Sequence, residues 1–415
     1  MRLLFLLRDM PSVDNIAPII DACLRAGDEV IALFDMPYDY ADCPRIQHLS
    51  GYDNFRLVHP AGLASKNRTI RRFSRFVWNA VVSKSLLKKH KIDACFVEWG
   101  DGIDQATVPF LSMTNARRFI ASIRDQLIRG SIELGIAVFC LPHGANTKRT
   151  LVPSTKIKAN MDAAGPEGMF ANRNCFTRYI VDTEYFRGNM IKYFGIKEHV
   201  IEVWGAPRFS THWLKAMYTF FPPANLNRPK ESMNLPICVF MMPKWHNDVD
   251  RPATVQLIEA LVKSKSCLVV LKLHPRFGYS ELDADLSADV MSSPYLQTIG
   301  REVESTALIE IADIVMDLGS SIALEVVARG KLLMYPNYLH TNKLIFDELG
   351  GGIIAKNETT VLDAISKLDQ FNINAALQAG IDNVCADSIY AGKAPHDVAA
   401  ACRTRIQEVV SNKTA

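Results

Sequence analysis

Short apolar runs alternate with helix-period patterns along almost the whole chain, and that alternation leaves few folds open. "RLLFLLR" is followed by a helical pattern near Ser12–Ala26, a stop at Gly27, and the run "EVIALF". Then come "IDACFVEWG", a long helical pattern near 112–134, "IAVFCLPHG", "RYIVDT" and "VIEVWG". Runs that are apolar at nearly every position, joined by amphipathic helices, predict a mostly parallel sheet covered on both faces. Residues 218–235, with three prolines and many polar residues, interrupt the rhythm and predict a domain boundary. It then restarts with "PICVFMMP", a helix near 253–264, "CLVVLKLHP", "LQTIG", a helix near 304–312, "DIVMD", a helix near 320–329, "LLMYP", "GIIA" and a helix near 359–368. The expected α/β organisation is a Rossmann-like domain over 1–217, a linker over 218–235, a second Rossmann-like domain over 236–395 and a terminal helix over 396–415. A cleft is expected between the two domains.

The length of 415 residues fits two cores better than one. The formal net charge is only +3, which argues against bulk nucleic acid as a partner. Nine scattered cysteines form no CxxC pair and read as reduced thiols of a cytoplasmic protein. "LLFLL" near the start is too short for a signal core and runs straight into Arg8-Asp9, so it reads as a strand. No run approaches the roughly 18 apolar residues of a membrane helix.

Ligands of open α/β sheets bind at the carboxyl ends of the strands, so the loops after the strands are where chemistry is expected. Four loops of the C-terminal half are polar: Pro243-Lys244-Trp245-His246-Asn247, His274-Pro275-Arg276, Gly300-Arg301 and Gly319-Ser320-Ser321. Ser320 or Ser321 is placed to cap the following helix, whose first N–H groups suit a phosphate. Glu325 falls one turn further on the same face, where a carboxylate suits two ribose hydroxyls, although a plain cap with a solvated Glu325 explains the same letters. His274 before Pro275 is either an ordinary turn residue or an imidazole held toward a phosphate or base.

The N-terminal half offers the acid–base groups. "FCLPHGANTKR" places His143 after a buried strand, with Lys148 and Arg149 close in sequence. "ACFVEWGDGID" places Glu98 and Asp101 at another strand end among glycines. A histidine or a carboxylate can take the proton of an attacking hydroxyl, and a Gly/Asp-rich turn without catalytic role is the competing account of the second motif. Residues 66–91 are rich in Lys and Arg, hold no acid, and space their apolar residues as a helix does. That pattern fits an anionic membrane surface or a helix packed on the sheet with a solvated basic side.

In order along the chain, "PHG" with Lys148, "GAPR" (Gly205 to Arg208), "MPKWHND", "KLHP", and "DLGSS" with Glu325 and "GKLLMYP" resemble the GT-B glycosyltransferase superfamily. The likeness spans roughly 135–340. It looks strongest to the bacterial surface-polysaccharide branch, which includes capsule sialyl- and Kdo-transferases and CDP-glycerol glycerophosphotransferases. The resemblance implies a nucleotide-sugar donor, CMP-linked by preference, and a glycan or lipid-linked glycan acceptor. It implies that Lys244, His274, Pro275, Arg276, Gly319, Ser320, Ser321 and Glu325 bind the donor. It offers Asp101, with Glu98, as the base in the sialyltransferase manner, or His143 in the glycerophosphotransferase manner. No cofactor and no metal is expected, since no Asp-x-Asp closes a strand of the second half. A site on the inner face of the cytoplasmic membrane, through 66–91, is part of the same expectation. A non-hydrolysing 2-epimerase and a non-catalytic nucleotide-sugar-binding protein are the alternatives on this fold.

Overall fold

A computed structural model describes residues 1–8, 10–34, 42–58, 69, 83–98, 123–151, 155–165, 168–243, 245, 249–274, 285–368 and 373–414. The chain forms two compact units. Unit 1 comprises Met1–Ala145, Asn160–Ser210 and Tyr390–Ala415; unit 2 comprises Asn146–Ala159 and Thr211–Ile389. The chain thus passes into unit 2 at Ser210/Thr211, ahead of the proline-rich 218–235 stretch, which lies wholly inside that unit. The terminal helix, expected as a separate element, is part of unit 1.

Unit 1 is built on seven strands: β1 (Arg2–Leu7), β2 (Glu29–Phe34), β3 (Phe55–Val58), β4 (Ala94–Glu98), β5 (Ala137–Leu141), β6 (Arg178–Val181) and β7 (Ile201–Val203). Their order is β3-β2-β1-β4-β5-β6-β7, every pair parallel. β4 and β5 are buried at every position, as strands covered on both faces must be. Phe5, Phe96 and Phe139 stack in a row across β1, β4 and β5, with ring centroids 4.2 and 4.8 Å apart. That row fixes the register of the two strands whose ends carry Glu98 and His143. Helix Val398–Thr414 packs on helix Met10–Arg25. Arg403 donates to the buried Asp28 carboxylate at 3.0 Å.

Unit 2 carries β8 (Ile237–Met241), β9 (Leu268–Lys272), β10 (Leu296–Ile299), β11 (Ile314–Met316), β12 (Leu333–Pro336) and β13 (Ile353–Ala355). The order is β10-β9-β8-β11-β12-β13, again all parallel. This doubly wound order reverses between β8 and β11, the place where such sheets open a crevice for ligands. The expected helices appear with shifted ends: 251–264, 305–311, 322–328 and 358–366. β3 and the helix Pro44–Ser50 carry no clear period in sequence; β3 is a short edge strand, half-exposed along most of its length.

All nine cysteines are free thiols and seven of them are buried. Among the described residues no helix is long and apolar enough to cross a membrane. The basic 66–91 segment lies mostly outside the described residues. Its described end is a helix, Ser83–Lys89, with Leu86 and Leu87 buried and Lys84, Lys88 and Lys89 exposed.

Candidate functional site

In unit 1 the β4–β5 register sets Glu98 opposite Leu141, which brings His143, two residues on, beside the end of β4. The His143 Nδ1 lies 2.8 Å from Glu98 Oε1. The Glu98 side chain is 2% exposed and that of His143 36%. The carboxylate is therefore held inside the protein while the imidazole reaches the surface. A carboxylate on Nδ1 assigns the proton to that nitrogen and leaves the lone pair on Nε2, the arrangement of an oriented general base. Asn15, on helix Met10–Arg25, donates to the His143 carbonyl at 2.6 Å and to Pro11 O at 2.8 Å, fixing the backbone of the loop. The same loop borders a mostly apolar hollow, whose lining includes Pro142, Gly144, Asp182, Trp204 and Arg208. Arg208, of the "GAPR" motif, is held by Asp14 at 2.7 Å, and Asp14 also meets Arg45 at 2.7 Å. Asp101 lies outside the described residues.

In unit 2 the sheet order places the ends of β10, β9, β8 and β11, the strands that lead into the four polar loops, side by side. Lys244, Pro275 and Arg276 lie outside the described residues. His274 is half-buried just past β9. Beside it Lys272 is 5% exposed and donates to the Gly300 carbonyl; burial pushes its ammonium pKa down.

The Ser-Ser loop departs from expectation in its hydrogen bonds. Asp317, 2% exposed, accepts from Gly319 N and Ser320 N at 2.7 Å each and from Ser320 Oγ at 2.6 Å. The amides of Gly319 and Ser320 are thus turned onto an internal carboxylate. Ser321 occupies the cap position of helix Ile322–Ala328 without accepting a helix N–H, and Ser320 Oγ takes Ile322 N at 3.3 Å. Gly319 needs its left-handed φ of +90°, and a Cβ there would sit 2.9 Å from Leu344. Thr147 Oγ1 donates to the Gly319 carbonyl at 2.9 Å, so the 146–159 segment braces this loop within unit 2.

Glu325 is also placed differently from the sequence expectation. It is 1% exposed and its carboxylate accepts from Thr306 Oγ1 at 2.7 Å and Arg329 Nε at 3.0 Å. The helical spacing that aligned it with Ser321 aligns it equally with Arg329, and burial selects the cation as partner. Arg149 is likewise used internally, bonding Glu348 at 3.2 Å and Asp387 at 2.8 Å.

Two groups that sequence reasoning did not single out lie in unit 2, Asp317 and His340. Burial pushes the Asp317 carboxyl up to about 6 from its ordinary 3.8, against the hydrogen bonds from Ser320 and Gly319. Folded, it keeps its proton until about pH 6, whereas unfolded it loses it near 4. Its stabilising contribution is therefore complete at low pH and is lost as pH rises to about 6, an effect of about 2–3 kcal/mol. Asp317→Asn keeps an acceptor oxygen for the two amides and removes the ionisation. Chemical unfolding at a series of pH values is expected to show a flatter curve between about pH 4 and pH 6 for this variant. Its stability at neutral pH is expected to equal or exceed that of the parent. An unchanged slope would mean that Asp317 ionises normally in the folded protein. His340 lies past β12, its ring 5.1 Å from that of Tyr335, and burial pushes its imidazole down to about 4.

With two doubly wound parallel sheets established, comparison with solved structures decides the architecture. A UDP-N-acetylglucosamine 2-epimerase matches with TM-score 0.62 and 12% identity, over 100% of this chain and 97% of that one. The fold is GT-B. The UDP-GlcNAc 2-epimerase of Neisseria meningitidis, solved bound to UDP-GlcNAc, matches with TM-score 0.59 and 12% identity over 99% and 100% of the two chains. A glycosyltransferase from Rickettsia africae matches this GT-B chain with TM-score 0.56 and 13% identity over 99% of each. No family profile and no curated protein matches the sequence.

Proposed function

We propose that this GT-B chain is a nucleotide-sugar enzyme, a glycosyltransferase in which His143 is the general base and Glu98 orients it. The observation that carries the reading is the 2.8 Å contact between His143 Nδ1 and a buried carboxylate, at the carboxyl ends of adjacent parallel strands. The acceptor hydroxyl gives its proton to Nε2 as its oxygen bonds to the sugar carbon. The bond from that carbon to the donor phosphate breaks, and its electron pair leaves with the nucleotide. Glu98 then faces an imidazolium, which it stabilises. Unit 2 takes the donor, through the loops after β8, β9 and β11. A CMP-sugar donor and a bacterial surface glycan acceptor are the finer form of the proposal, supported by the His-Gly, His-Pro and Ser-Ser motifs.

A second reading is a nucleotide-sugar 2-epimerase, favoured by matches over 92–100% of this chain to solved 2-epimerases at 12–15% identity. Incubation with CMP-, UDP- and GDP-sugars and CDP-glycerol, with and without glycan acceptors, separates the readings. Acceptor-dependent release of free nucleotide is expected for the transferase. A 2-epimer formed without acceptor replaces it with the epimerase, and transfer from CDP-glycerol alone replaces it with a glycerophosphotransferase. No turnover of any donor rejects all three.

A further inference from the structure

The His340 ring is tied down at one nitrogen only. Its Nδ1 accepts the Asn342 N–H at 3.1 Å, which leaves the ring proton on Nε2. That Nε2 is buried and has no hydrogen-bond partner among the described residues. A buried N–H without an acceptor carries a full desolvation cost, so its persistence calls for an explanation.

Its place in unit 2 supplies one. His340 pairs in an antiparallel bridge with Val249, at the far end of the loop that leaves β8. Its neighbour Leu339 accepts the Asp250 N–H at 2.7 Å, closing that loop onto the segment after β12. Four residues on, Leu344 packs beside Gly319 of the β11 loop and bridges to Lys148. The donor therefore stands where the segment after β12 meets the end of the loop that follows β8, and that segment goes on to pack on the β11 loop through Leu344.

We propose that His340 is a ligand-binding residue of unit 2, whose Nε2–H donates to a phosphate oxygen of the nucleotide that this unit takes. The inference rests on the nucleotide-sugar reading above and adds to it a residue outside the motifs that suggested it. The imidazole acts as a neutral donor fixed in one tautomer by Asn342. Tyr335 at its face and the backbone bridge at Val249 hold the ring, so little side-chain freedom is lost on binding.

The two side-chain amides separate the two ring nitrogens. His340→Asn keeps an acceptor near the Nδ1 position and deletes the Nε2 donor; His340→Gln keeps a donor near Nε2 and deletes the acceptor. Calorimetric titration of the full chain with UDP, CMP, CDP and inorganic pyrophosphate is the test. For whichever probe the parent binds, His340→Asn is expected to lose about tenfold in affinity, as for one hydrogen bond to a charged oxygen, and His340→Gln to stay within about threefold. Unchanged affinity in His340→Asn overturns the assignment and leaves only a bridging water at Nε2. The reverse order, with Gln weakened and Asn intact, shows that His340 serves the loop through Nδ1 and also overturns it. A parent that binds none of the probes removes the nucleotide reading itself. Should His340→Asn unfold, the Nε2–H resonance of histidine-labelled parent protein is expected to move when the nucleotide is added, and a stationary resonance overturns the assignment.

Discussion

His143→Ala is expected to lower turnover by about a hundredfold or more while leaving nucleotide affinity close to that of the parent. The imidazole is the exposed half of a pair whose other half is buried, so its loss removes the proposed base without opening the core. Asn15 bonds the backbone of residue 143, not its ring, so the loop keeps its anchor in the variant. Glu98→Gln should fall between parent and alanine variant. It keeps a hydrogen-bonding oxygen for Nδ1 but loses the charge that stabilises the protonated ring. Steady-state turnover and calorimetric nucleotide affinity, measured on both variants and on Asp101→Asn, decide the matter. Near-parent turnover in His143→Ala with loss in Asp101→Asn would transfer the base role to Asp101.

Glu325→Ala is expected to cost about 3 kcal/mol of unfolding free energy. Both partners of the pair are out of water, with side-chain exposures of 2% for Glu325 and 1% for Arg329. Removing the carboxylate strands a buried guanidinium, whose remaining partners are Glu310 at 3.5 Å and the ring of Tyr218 at 4.2 Å. It also deprives the Thr306 hydroxyl of its acceptor. The double variant Glu325→Met, Arg329→Met should recover most of the loss, because the stranded charge goes with the pair. Denaturant unfolding monitored by circular dichroism measures both. If Glu325→Ala unfolds like the parent and instead loses nucleotide affinity, the carboxylate serves the ligand and not the fold.

The elements readable from the letters were those whose environment leaves one choice. β4, β5, β8 and β9 are buried at every position; β5 and β8 are unbroken apolar runs in sequence, and β4 and β9 are apolar up to the charged residue that closes each, Glu98 and Lys272. Helix Arg251–Ser264 announces itself with Asp250, which caps Ala253 N at 3.0 Å, and Arg251-Pro252 in its first turn. β3 was not readable, because a four-residue edge strand needs neither a full apolar run nor clean alternation. His143 was legible as a strand-end histidine, and its partner Glu98 as a strand-end carboxylate. Their pairing required the β4–β5 register, which no local pattern encodes. Asp317 was passed over because an Asp at a strand end, two residues ahead of a Gly, reads as a turn residue; its burial depends on β8 and β12 flanking β11. Glu325 was assigned by spacing to Ser321, although the same spacing contained Arg329. Nothing in "NYLHTNK" marks His340; only the strand end before it could have drawn attention.

The pairing of helix Val398–Thr414 with helix Met10–Arg25 bears on the order in which the protein can be made. Unit 1 consists of three stretches, and its last begins at Tyr390. Val398, Ala399, Cys402 and Ile406 are buried, so the apolar surface they cover stays wet until residues 398–406 have left the ribosome. Asp28 waits equally long for Arg403. The 211–389 stretch, by contrast, emerges as one uninterrupted length, and its sheet can be complete before helix Val398–Thr414 covers the first. A nascent chain that stops at Ile389 would carry a finished second sheet and a first sheet still lacking its cover, the half that chaperones would be left to hold.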